Sequence, residues 1–289
     1  MNFSRAFRYP LQNLPKVISI VLVLTIALSI CLGLIVNSYD WSPLVAMLYG
    51  IDLGAGYSNE LQPFSWSAWF GVLGLLVVAV ISGFWLSGYS VEVVRSVMNG
   101  SETMPAIQFR RNLKDGFYLF VSGVAYGLLF AGLMLVAFTF LGLTGSPDGM
   151  NVIVVLASVI VAIVALAFMG WAYLIGMARF AAEGDYKASW QVFRNIRLAR
   201  ENWRGGLTLL LYMIALTLIY GVVRSLVDAA LGGLTGGFDI VSIALWIIVY
   251  YIFNLMQHFS TQHLIAQFGT EIGIRSDYYD PEKEKHDFA

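Results

Sequence analysis

Apolar and polar positions fall along this chain in long alternating blocks. Six uncharged apolar stretches stand out, at 17–36, 67–87, 117–143, 152–177, 207–223 and 240–259. The fifth can extend to Leu231, taking in Arg224 and Asp228, and the sixth to Phe268. A helix needs about 20 apolar residues to cross roughly 30 Å of hydrocarbon, and backbone groups in lipid must bond within their own segment or a closed barrel. A membrane β-barrel would show short strands of alternating polarity, and these runs do not alternate. The pattern predicts an all-α integral membrane protein with six transmembrane helices.

The polar blocks set the threading. The N-terminus, the 91–115 and 178–205 connectors and the C-terminal tail hold 16 of the 17 Lys and Arg residues; only Arg224 lies elsewhere. Positive residues stay cytoplasmic, so both termini are expected inside, with the 37–66, 144–151 and 224–239 links outside. Those links carry the acids Asp40, Asp52, Glu60, Asp148, Asp228 and Asp239. The 37–66 link is rich in Trp and Tyr, which favour the headgroup layer, and 44–49 reads as a short helix opened by Ser42-Pro43. The 276–289 tail is polar and charged, so it reads as an extension outside a single membrane domain spanning 1–275.

Composition agrees. Of 289 residues, 58% are hydrophobic and 12% charged, about half the charged share of soluble domains, and the mean hydropathy is +0.74. The lone Cys31 excludes an internal disulfide and a cysteine metal site. Arg5, Arg8 and Lys16 before an apolar run suggest a signal peptide, but the run has 20 residues and no small-residue cleavage site follows. It reads as a retained helix in the cytoplasmic membrane.

A unit recurs. Arg95-x4-Gly100 is echoed by Arg179-x4-Gly184 and, with the arginine lost, by Leu264-x4-Gly269. Asn13, Asn112 and Asn202 each stand after basic residues at the entrance of an odd-numbered apolar run, where Asn is a favoured N-cap. Three repeats are expected over 5–103, 104–193 and 194–275, each a helical hairpin starting inside. The competing reading is that apolar helices with basic inner flanks resemble one another.

The stretch Gly88-Tyr89, Arg95, Gly100, Met104-Pro105, Asp115-Gly116, with Arg8-Tyr9-Pro10 upstream, resembles the prokaryotic membrane-protein family called domain of unknown function 4013. The likeness covers roughly residues 1–140. Met104 stands where that family has Leu, and Ala106-Ile107 where acidic and Trp residues are usual. The resemblance implies a polytopic membrane architecture and no particular reaction.

Candidate chemistry is sparse. Carboxylates and basic residues deep in a membrane mark proton relays and ion pathways, and the six core stretches hold no Asp, Glu, Lys or Arg. No catalytic triad, Walker motif or carboxylate metal motif is present, so no enzyme activity, cofactor, metal or nucleic-acid partner is expected. Two surfaces remain. On the sixth helix, Asn254, His258, Thr261 and Gln262 form one polar stripe at 100° per residue, able to line a passage or to bond neighbouring helices. In 187–204, read as one helix, Lys187, Arg194, Arg197, Arg200 and Arg204 share an arc that suits anionic headgroups or a partner, or merely flanks two membrane helices. The leading expectation is a non-catalytic membrane subunit or scaffold organising lipids or neighbouring membrane proteins. The alternative is a passive transporter or channel for a small or amphiphilic solute, using the stripe.

Overall fold

The computed structural model describes residues 1–37, 65–144, 152–235 and 240–274. The 44–49 helix, most of the 37–66 and 144–151 links, and the 276–289 tail lie outside the described residues. Those residues form helices and turns without strands. In order these are α1 (Phe3–Gln12), α2 (Leu14–Asn37), α3 (Trp66–Met98), α4 (Phe109–Thr144), α5 (Val152–Glu183), α6 (Lys187–Trp190), α7 (Val192–Glu201), α8 (Trp203–Thr235) and α9 (Ile240–Glu271).

Each apolar stretch lies inside one helix, and α3, α4, α5, α8 and α9 run well beyond it into polar sequence. Length and hydropathy mark five spans among the described residues: Leu14–Ile35, Trp66–Met98, Phe109–Ala137, Ser158–Glu183 and Trp203–Leu231. The chain is therefore a helical, multi-pass membrane protein. Leu, Val and Ile stay exposed along much of these helices, as lipid-facing surfaces should.

The contacts divide the chain into two units. The smaller covers Ile18–Gly83, where Gly71 and Gly74 lie close to Cys31 and Ile35. Small residues at such spots let membrane helices pack tightly. The larger unit contains Met1–Val17 and the described residues from Phe84 onward. Its core is built from Val91 and Val94 of α3, Leu119 of α4, Met177, Phe180 and Ala181 of α5, and Ile265 and Ala266 of α9. Burial is concentrated where the spans meet the charged connectors.

Two glycines fix the α3–α4 crossing. A Cβ on Gly88 would run into the carbonyl of Asn112, and one on Gly116 into the carbonyl of Phe84. The helices touch backbone to backbone there, which only glycine permits. Gly100 and Gly184 have φ of +83° and +68°, the left-handed conformation of a helix C-terminal stop.

Three expectations need correcting. The glycine that stops the last helix is Gly273 (φ +82°), not Gly269, which lies inside α9 against Ala178 and Met98. The Ser101 N–H reaches the Ser96 carbonyl (3.0 Å) and the Ile274 N–H reaches the Gly269 carbonyl (3.0 Å), so these two helix ends close in the same way, the second four residues beyond the expected glycine.

The three asparagines are not N-caps through their side chains. Asn202 donates Nδ2 back to the Leu198 carbonyl at 3.0 Å, and Asn13 likewise to Tyr9 at 2.9 Å, each closing the helix before it. Asn112 lies buried inside α4.

Residues 187–204 are not one helix either. The segment breaks at Gln191 and Asn202, and Arg204 belongs to α8. At Gln191 the backbone (φ −75°, ψ 61°) leaves helical geometry, and its side chain accepts from Arg179 Nη2 at 3.0 Å.

Candidate functional site

Arg95 and Arg179, the echoed arginines, are only 3% and 2% exposed. A buried guanidinium is tolerable only when its donors are met. Arg95 Nε donates to the Ala181 carbonyl at 2.8 Å, near the end of α5, where the helix dipole favours a cation. Its Nη1 pairs with Glu92, which also faces Arg111 Nη2 at 3.6 Å. Arg95 thereby ties α3 to α5 and, through Glu92, to the start of α4.

Arg179 organises a larger network. Its Nε donates to Glu183 (2.9 Å), Nη1 to Asn195 Oδ1 (2.8 Å), and Nη2 to Gln191 Oε1 (3.0 Å). Asn195 Nδ2 in turn donates to the Tyr126 hydroxyl at 2.8 Å, and Ser122 Oγ donates to the Ser189 carbonyl at 3.0 Å. α6 and α7 are thus clamped to α4 and α5 by a buried polar set. Asn195 and Tyr126 escaped the sequence reading. The only available signal was Asn195 on the apolar side of an otherwise basic helix.

With α7 held this way, Asn195 and Ala199 face inward, and Phe193, Arg194, Arg197 and Arg200 face outward. The basic residues singled out, Lys187, Arg194, Arg197, Arg200 and Arg204, are all exposed. They do not stand alone: Phe193 is 78% exposed, and Trp190 and Trp203 also project. Trp203 sits beside Arg204, whose guanidinium lies 5.6 Å from the Trp203 ring centroid.

α1 is built like α7. Both have ten residues, both precede a long helix across one Asn, and both read Arg-x2-Arg-x4-Asn (Arg5, Arg8, Asn13; Arg194, Arg197, Asn202). α1 buries Ala6, Tyr9 and Pro10. Tyr9 packs against His263 with ring centroids 4.9 Å apart and the rings tilted by 51°, and burial, followed by the neighbouring Tyr89, pushes its hydroxyl above the ordinary tyrosine range. Arg5 pairs with Glu102, and Lys16 Nζ donates to the Met104 and Pro105 carbonyls at 2.6 and 3.0 Å. The 101–105 turn is held by these contacts. A polar cavity of about 330 Å³ lies beside it, lined by Glu92, Arg95, Ser96, Asn99, Thr103 and Gln108.

Three of the four residues of the α9 stripe bond to groups of the protein itself. Asn254 Nδ2 donates to the Tyr250 carbonyl (2.7 Å) and Thr261 Oγ1 to the Gln257 carbonyl (3.0 Å), both within α9. His258 Nε2 lies 2.6 Å from Ser90 Oγ on α3. Gln262 is buried, and its Oε1 has no partner among the described residues. Nearby, Gln257 Nε2 donates to Thr217 (2.9 Å), and the Tyr220 hydroxyl lies 3.1 Å from Ser260 Oγ. These bonds knit α9 to α3 and α8. Among the described residues no cluster of three or more His, Cys, Asp or Glu could hold a metal.

Neither the curated proteins nor the solved structures contain a match to this chain. A family model, protein of unknown function DUF4013, matches residues 72–231. The match begins later and ends later than the likeness read from residues 1–140, omitting Arg8-Tyr9-Pro10 and taking in α5, α7 and most of α8. It contains the Gly88–Gly116 crossing, both buried arginines and the α7 clamp, and over this majority of its length the chain belongs to the DUF4013 family.

Proposed function

We propose that this protein is a non-catalytic membrane subunit that organises lipids or neighbouring membrane proteins, with six transmembrane helices and both termini in the cytoplasm of a prokaryote. The observation that carries the reading is the use made of polar groups along α9: Asn254, His258 and Thr261 bond to the protein's own helices. Asn254 and Thr261 bond back within α9 and His258 bonds across to α3, and groups spent in this way leave little to coordinate a moving solute. The passive-transporter alternative keeps one feature in its favour, the unpartnered buried Gln262 Oε1.

In this reading the larger unit is a ring of three related parts. α1 packs on α9 and α7 packs on α5, so each short basic helix seats on the second long helix of the preceding part. α4 crosses α3 at Gly88–Gly116 in the corresponding place, with the extended 101–108 segment replacing the short helix.

The test is reconstitution of the purified chain into vesicles. Small neutral and amphiphilic solutes should show no flux above protein-free vesicles, and purification in mild detergent should retain lipid or a stoichiometric membrane partner. Solute flux that is abolished by Asn254→Leu with His258→Leu would establish the transporter instead.

A further inference from the structure

We infer that α7, with the adjoining start of α8, is a lipid-binding wedge that takes anionic phospholipid headgroups of the leaflet into which α5 and α8 end. The inference rests on the scaffold reading and names its partner as lipid.

α7 lies between the end of one span, Glu183, and the start of another, Trp203, with only α6 and two short turns between. At about 100° per residue, its outward arc runs Arg200, Phe193, Arg197, Glu201, Arg194. Phe193, the most exposed of these aromatics, therefore sits between two arginines. Such a ring in water gains nothing, whereas among acyl chains it buries its whole apolar surface while the flanking guanidiniums stay level with phosphates. Trp190 and Trp203, also exposed, have the amphipathic rings that favour this layer.

Charge complementarity identifies the occupant. Arg197 and Arg200 are in no ion pair or hydrogen bond among the described residues, and Arg194 has only Gln191 Oε1 at 3.2 Å. Glu201 is the one acid on the arc. Their donors are thus available, and guanidinium binds phosphate oxygens in a fork. The Arg179–Asn195–Tyr126 clamp holds this face in place before lipid arrives, which lowers the ordering cost of binding.

The experiment places the full-length protein in phosphatidylcholine vesicles doped with spin-labelled phosphatidylglycerol or spin-labelled phosphatidylcholine. The motionally restricted fraction of each is then measured. With the arginine contacts diluted over all boundary lipid, the anionic label should be favoured by about threefold. R194E/R197E/R200E should bring the ratio to about one, as should raised salt, while Arg224→Gln should leave it unchanged. Phe193→Ser should lower it partially. If the triple variant does not fold, Arg197→Gln with Arg200→Gln carries the same expectation of a reduced ratio. Equal restriction of both labels by the wild type, or a preference that survives the arginine changes, overturns the inference. So does crosslinking in cells from position 197 to a protein rather than to lipid. Flux in the same vesicles decides the scaffold reading separately.

Discussion

Asn195 is the residue on which the buried network turns. Its Oδ1 accepts from Arg179 and its Nδ2 donates to Tyr126, so one amide joins α7 to both α5 and α4. Asn195→Ala leaves an arginine with a lost partner in a site without room to rehydrate. Hydrogen bonds to charged groups contribute about 1.5–3 kcal/mol, and we expect a loss of that order, read as a lowered unfolding temperature in detergent. Tyr126→Phe keeps the Arg179 contact and should cost about 1 kcal/mol. Equal effects of the two would mean that Arg179 draws nothing from Asn195.

Elements in this protein meet through glycine where they meet most closely. Gly88→Ala and Gly116→Ala each drive a methyl into the main chain of the facing helix, which cannot yield as a side chain does. A cost of about 3 kcal/mol or more is expected, seen as loss of folded protein in membranes. Gly127, also on α4, has nothing within 4 Å of a built Cβ, and Gly127→Ala should be neutral or slightly stabilising. Gly100→Ala should lie between, at about 1–2 kcal/mol, because a Cβ is strained at positive φ. An equal response at Gly88 and Gly127 would show that the crossing is looser than described.

For the whole molecule, threading is the decisive property. In a Cys31→Ser background, single cysteines at Ser58 and Asp148 should react with an impermeant thiol reagent applied to intact cells, while those at Asn99 and Lys187 should react only after lysis. The reverse pattern would remove the charge bias as the determinant of orientation. Arg194, Arg197 and Arg200 bear on both threading and lipid. A triple variant that inverts its helices would assign these residues to topology, whereas one that keeps its threading and loses anionic selectivity would assign them to the surface.

Long-range polarity determined the membrane class of this chain by itself, because a 20-residue apolar helix has one stable environment whatever it packs against. The apolar stretches were accordingly legible, as was the family likeness carried by Gly88-Tyr89, Arg95 and Gly116. The use of each polar residue was not. Asn13, Asn112 and Asn202 look alike in sequence, yet two close the preceding helix and one is buried within α4. Gly269 and Gly273 lie four residues apart, and only the second takes the left-handed φ that stops α9, while the first packs inside the helix beside Ala178 and Met98. The 187–204 arc was drawn on one continuous helix. In the fold the segment breaks at Gln191 and Asn202, and the buried Arg179 bonds both Gln191 and Asn195. Side-chain bonding in a low-dielectric interior is decided by which groups arrive within 3 Å of one another, and that is set by the packing of helices distant in sequence.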